Sequence, residues 1–96
     1  AANVPLRVAE LSLQTAELAA AMARSGNDNA VSDAAAGALM AQAAVQAAAL
    51  NVIINAAGMQ DQALAAEMQS KVSRLESKVS EIAAATKATA AERGGF

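Results

Sequence analysis

The chain has no cysteine, no histidine, no tryptophan and no tyrosine, and its one aromatic residue is the terminal Phe96. Without cysteine or histidine there can be no zinc finger, no disulfide framework, no haem–thiolate centre and no catalysis by a Cys or His nucleophile or base. No metal and no separate cofactor is expected. One aromatic makes no stacking platform for bases. Seven basic against nine acidic residues, a net charge of −2, leave no cationic footprint for nucleic acid. No basic segment leads into an apolar one, so no signal peptide is read, and the lack of cysteine agrees with a reducing, cytoplasmic setting. Proline occurs once and glycine five times; with so few helix breakers the chain is expected to be all-α.

Bulky apolar side chains are scarce as well. Of the 96 residues 55% are apolar, but thirty are alanine, and leucine, isoleucine, valine and phenylalanine together number 19. A buried methyl contributes roughly 0.8 kcal/mol, whereas an ordered residue costs about 1.5 kcal/mol in conformational entropy. A core this thin is expected to need a second copy or a complementing segment.

Three helices are expected, over about residues 3–24, 32–57 and 61–92, in an antiparallel bundle that forms part of a larger helical domain. Asn3 is a good N-cap, and Pro5 is tolerated in a first turn, where its missing N–H has no partner to lose. Val4, Val8, Leu11, Thr15, Leu18 and Met22 repeat at helical spacing and form one stripe, with Arg7, Glu10, Glu17 and Arg24 largely off it. Gly26 suits a left-handed helix end. Residues 25–32 are polar and turn-forming, and Asn29 or Ser32 is suited to cap the next helix. Asp61 is suited to cap the third. There Met68, Val72, Leu75, Val79 and Ile82 alternate in steps of four and three, a stripe too short for an independent coiled coil and suited to packing on the other helices. Glu67 and Lys71 form a favourable i,i+4 pair on its outside, Met40 and Met59 read as gap fillers, and residues 93–96 read as a frayed tail.

From Ala34 to Gln60 there is no charge. The length would suit a membrane span, but Gln42, Gln46, Asn51 and Asn55 interrupt it and alanine adds little transfer energy. A helix buried on nearly all sides in a bundle is the better reading. At 100° per residue Asp33, Gly37, Ala44, Ala48, Asn51 and Asn55 share one face, with Gln42 and Gln46 opposite. That lane of small residues allows a neighbouring helix to approach closely, or leaves room for a flat ligand. Asn27, Asn29 and Asp33 on their own read as turn and cap residues. An amide buried without a partner costs a few kcal/mol, so Asn51 and Asn55 bond either to a partner helix or to a polar ligand. Asp33 is the only acid on that face, and a carboxylate desolvated among alanines suits acid–base work.

The run Gly26-Asn27-Asp28-Asn29-Ala30-Val31-Ser32-Asp33, then Asn51-Val52-Ile53-Ile54-Asn55, then Asp61, resembles the formiminotetrahydrofolate cyclodeaminase / methenyltetrahydrofolate cyclohydrolase family. That family carries a Gly-Asn-x-Asn-x-x-Ser-Asp element and an Asn-Val-x-x-Asn element on the following helix. Val4-Pro5-Leu6 is similar to the start of its preceding helix. The resemblance extends over nearly the whole chain, with the last ten or so residues least specific. The chain departs from the family at Ala34-Ala35-Ala36, where members often have Gly-Val. It resembles only the C-terminal half of the family domain: the Pro-Gly-Gly-Gly stretch, and the helix whose acidic residue precedes a Phe, have no counterpart here.

The resemblance implies a helical domain that dimerises and binds a tetrahydrofolate as its substrate, without metal or nucleotide. The reaction is either cyclodeamination of 5-formiminotetrahydrofolate or hydrolysis of 5,10-methenyltetrahydrofolate. Asp33 would be catalytic, Asn27, Asn29, Asn51 and Asn55 would bind substrate, and the absent half would bring the principal acid–base group. Partners implied are the folate and either a second copy or the complementing N-terminal half, with no nucleic acid and no membrane. The alternative is a non-catalytic packing or oligomerisation module.

Overall fold

A computed structural model describes residues 3–26 and 30–96, excluding the side chain of Asn3. The Asn3 cap and the expected site residues Asn27 and Asn29 therefore lie outside what is described. The chain is three helices and no strand among the described residues: α1 (Asn3–Ser25), α2 (Val31–Ala57) and α3 (Gln62–Gly94). They run up, down and up in a bundle whose Cα atoms extend 52 × 17 × 16 Å. An all-α antiparallel bundle is what the alanine-rich, proline-poor sequence calls for.

The connections differ in how they are made. Before α3, Asp61 accepts a hydrogen bond from the Leu64 N–H at 3.0 Å, a side-chain N-cap. Before α2 the cap position is Ala30 and no side chain among the described residues caps the helix, so Ser32 does not take that role, and the other candidate, Asn29, lies outside the described residues. Gly26 is not left-handed either: its N–H turns back to the Met22 carbonyl at 2.6 Å, and the one left-handed glycine among the described residues is Gly95, φ 75°, at the end of α3.

Alanine makes up most of the buried core. One layer sets Ala9, Leu13 and Ala16 of α1 against Ala41, Val45 and Ala48 of α2 and Val79 of α3. Towards the start of α3, Ala49 and Val52 meet Met68 and Val72, with Leu6 and Met59 partly covered beside them. Towards its end the layers thin to Ala19, Ala38 and Ala83, then Val31, Ala35 and Ala90. Small side chains let the helix axes come close, and a methyl at Gly37 would reach the Ala19 Cβ at 4.0 Å. The α3 stripe packs inward as expected, with Met68, Val72 and Val79 buried. Thr86, buried in α3, donates to the Ile82 carbonyl at 2.7 Å, and no buried side-chain polar atom among the described residues lacks a partner.

The expected α1 stripe forms, and it faces outward: Val4, Leu18 and Met22 are 71%, 67% and 61% exposed, while the alanines on the other face are buried. The reason is steric: Leu13 apart, the α1 positions in closest contact with the other helices hold methyl groups, where the bulkier stripe would not fit without moving a helix. For the same reason α2 is not buried all round. Its outer face leaves Leu39, Met40, Leu50, Ile53 and Ile54 exposed, so Met40 is no core filler. By length and composition α2 is also apolar enough to cross a membrane, with a third of its most apolar stretch buried in the bundle.

The C-terminus is built rather than frayed. The Arg93 guanidinium donates from Nη1 to the Ala23 carbonyl and from Nη2 to the Gly26 carbonyl, both at 2.6 Å. It thereby satisfies carbonyls that the end of α1 leaves open. The Phe96 N–H closes on the Ala91 carbonyl at 3.0 Å.

Candidate functional site

The antiparallel order of α1 and α2 lays the first turns of α1 against the last turns of α2. Between them runs an open groove of about 570 Å³. Val4, Pro5 and Val8 form one wall, Ala44, Ala47 and Ala48 the floor, and Asn51 and Asn55 the polar edge. The walls follow from composition. Proline, with no N–H to satisfy, is accommodated in the first turn, and alanines leave the floor low. Each amide offers both a donor and an acceptor, so the groove has apolar walls with a small set of orienting polar groups, as ligand sites commonly do. Asn55 is half-buried and Asn51 exposed.

The lane of small residues lies on the face of α2 towards α1, with Ala44, Ala48, Asn51 and Asn55 lining the groove and Gly37 beside Ala19. The opposite face turns to α3, where Gln42 donates from Nε2 to Ser80 Oγ at 3.1 Å. Gln42 is thus the amide that bonds a partner helix, while Asn51 and Asn55 face the groove.

Asp33 does not join them within one chain. It lies in the first turn of α2, at the opposite end of the helix. Eighteen residues separate it from Asn51, about 27 Å at 1.5 Å per residue. Asp33 is also exposed, so the alanines do not desolvate it. Among the described residues no group of three or more Asp or Glu is placed to hold a metal ion. A second groove, of about 400 Å³, lies between α1 and α3 and is basic on one wall, with Lys71, Arg74 and Lys78 facing Glu10. Reasoning from the sequence missed Val4, Pro5 and Val8 as groove walls. Placing the α1 stripe outside would have required noticing that Ala9, Ala16 and Ala23 form the smoother stripe behind it.

The family model described as formiminotransferase-cyclodeaminase matches residues 1–74. Residues 75–96 lie outside that match, a shorter reach than the near-complete coverage expected. A methenyltetrahydrofolate cyclohydrolase of Methylorubrum extorquens is 42% identical over 67 residues, which is 70% of this chain and 32% of that protein. The chain spans about a third of the length of the curated relative it matches. No solved structure matches it. The family match takes in α1, α2 and the groove between them, and the chain belongs to the formiminotransferase-cyclodeaminase family.

Proposed function

We propose that the protein works in folate one-carbon metabolism, binding a tetrahydrofolate at the α1–α2 groove as part of a cyclohydrolase or cyclodeaminase. The observation that carries this is the groove itself: apolar walls, a flat alanine floor, and the two amides of the Asn-Val-x-x-Asn element on its edge. A pterin is flat, and its pyrimidine edge alternates donors and acceptors. Asn51 and Asn55 would hydrogen-bond that edge or the one-carbon bridge, while the floor accepts the ring. Asn27 and Asn29 are assigned to substrate binding through the family element alone.

In the hydrolase reaction water adds to the methenyl carbon of 5,10-methenyltetrahydrofolate. The carbon–N5 bond then breaks and the formyl group stays on N10. In the deaminase reaction N10 of 5-formiminotetrahydrofolate attacks the formimino carbon and ammonia leaves. Both need a proton moved at a folate or substrate nitrogen; the resemblance assigns it to Asp33, which within one chain lies at the end of α2 away from the groove and does not reach it. Full turnover is assigned to the complete domain, with the principal acid–base group on the absent half; the 96-residue chain alone should bind folate and turn over little. The competing reading, a packing or oligomerisation module, is favoured by the exposed apolar face of α2.

Titrating the chain into 5,10-methenyltetrahydrofolate and following its absorbance separates the two. Saturable binding is expected, weakened about tenfold by Asn51→Ala or Asn55→Ala, the effect of one lost hydrogen bond of about 1.4 kcal/mol. Absence of binding, or full affinity in both variants, would overturn the folate reading.

A further inference from the structure

The end of the bundle that holds Asp33 is fastened from outside α2. No side chain among the described residues caps α2, so this helix starts without the brace that Asp61 gives α3. Its first turns meet the last turn of α3 instead. Val31 and Ala35 are buried against Ala90. Gly94 comes so close to Val31 that an added methyl would lie 3.3 Å from the valine Cγ2. Beside it Gly95 takes the left-handed conformation, φ 75°, and the Phe96 N–H closes on the Ala91 carbonyl at 3.0 Å, a stop that ends α3 at this point.

Arg93 ties the same turn to α1. Its guanidinium donates to the Ala23 carbonyl and to the Gly26 carbonyl, acceptors at the end of α1. Gly26 and Val31 stand on the two sides of the α1–α2 connection. The end of α3 therefore holds one side through a charged fork and the other through packing. A fork with two bonds fixes direction as well as distance. Ala90, Arg93, Gly94 and Phe96 all lie past residue 74, where the family match ends, so this fastening is outside what that match covers.

We propose that Arg93 is a positioning residue: with the last turn of α3 it sets where the first turn of α2, and with it Asp33, stands. Asp33 follows Val31 by two residues in that turn. It is exposed, so the backbone of the turn sets its place and the packing of its own side chain does not. The guanidinium acts on the backbone of α1 and, through α3, on that of α2. Loss of the fork frees the end of α3 and lets the uncapped start of α2 fray, which moves the acid without removing it. The effect on substrate rests on the folate reading above, in which the resemblance makes Asp33 the acid; the fastening of α2 does not.

The fastening is read by NMR from Cα chemical shifts, which report backbone conformation, in variants whose overall helicity circular dichroism shows to be intact. In Arg93→Ala the shifts of Val31, Ser32, Asp33 and Ala34 should move towards random-coil values, while those of Val52 and Asn55 at the other end of α2 stay in place. Unmoved shifts at Val31 to Ala34, or equal movement at both ends, would overturn the positioning role. The consequence for substrate is read with 5,10-methenyltetrahydrofolate as the probe, under conditions where every variant is folded. Asp33→Asn should weaken binding about tenfold, the effect of one lost charge-assisted bond. Arg93→Ala should weaken it about fivefold when Asp33 is present, and by less than about twofold in the Asp33→Asn background, where no carboxylate is left to misplace. The same loss in both backgrounds would show that Arg93 contributes to stability alone, and unchanged affinity in Arg93→Ala would overturn its action through Asp33. A wild-type chain that binds none of the probe, or an Asp33→Asn variant that binds it as well as wild type, would overturn the folate reading of this end and leave the fastening standing.

Discussion

The two long faces of α2 are both apolar and are built to different rules. The inward face is Ala34, Ala38, Ala41, Val45, Ala48, Val52 and Ala56, all buried. It contributes little volume per residue and depends on close axes, where each methyl touches several neighbours at once. The outward face has larger side chains, Met40, Leu50 and Ile54, and no cover within the chain. Hydrophobicity alone would have placed the bulky residues inside. The difference between the faces teaches that fit decides orientation here: Ala9, Ala16, Ala38 and Ala83 match a narrow spacing that leucine or methionine could not enter without moving a helix.

That contrast is broken most severely by putting a charge on the inward face. Val45 is fully buried between α1 and α3. Val45→Asp leaves a carboxylate without a partner in the alanine layer, a loss of roughly 4 kcal/mol or more. In a domain with a core this small, circular dichroism should show loss of the cooperative melt at room temperature. A cooperative melt retained within a few degrees of wild type would mean that the layer is wet or loosely packed.

A second break is at the end of the bundle, where the inward face thins to Ala35 and Ala90 beside Val31. There the join between α1 and α3 relies on Arg93 more than on packing. Arg93→Ala removes two charge-assisted bonds, to the Ala23 and Gly26 carbonyls, and should lower stability by about 2 kcal/mol in urea unfolding. Arg93→Lys keeps the charge without the two-pronged geometry and should recover less than half of it. A loss below about 0.5 kcal/mol in Arg93→Ala would show that the alanine layers hold this end alone.

The parts of the fold legible in the sequence are those set by short-range chemistry. Helix content follows from alanine and the lack of proline, the cap at Asp61 from residue type and spacing, and the inward stripe of α3 from periodicity. What was not legible depends on which of two apolar stripes wins, and α1 has two: Val4, Val8 and Leu18 on one side, Ala9, Ala16 and Ala23 on the other. Periodicity finds the bulkier stripe, and only the distance between helices selects the smaller. Arg93 was read as tail because its partners are the open carbonyls of α1, near in space and about seventy residues away in the chain. At the site, the groove face with Asn51 and Asn55 was legible as a lane of small residues. The gap to Asp33 was present in the numbering too, since residues on one helical face share a direction and not a place.

The smallest effect tests how close the inward face really is. Gly37 sits inside α2 beside α1, and a glycine within a helix costs roughly 0.5–1 kcal/mol relative to alanine. The added methyl would meet the Ala19 Cβ at 4.0 Å, an ordinary van der Waals distance, with no backbone in its way. Gly37→Ala should therefore stabilise the chain by about 0.5 kcal/mol, seen as a rise of a few degrees in melting temperature with unchanged helicity. Close approach in this bundle would then rest on alanine on both sides, with glycine not required. Destabilisation would mean that α1 and α2 pack more tightly at Ala19 than 4.0 Å implies, and that the narrow spacing excludes even one further methyl.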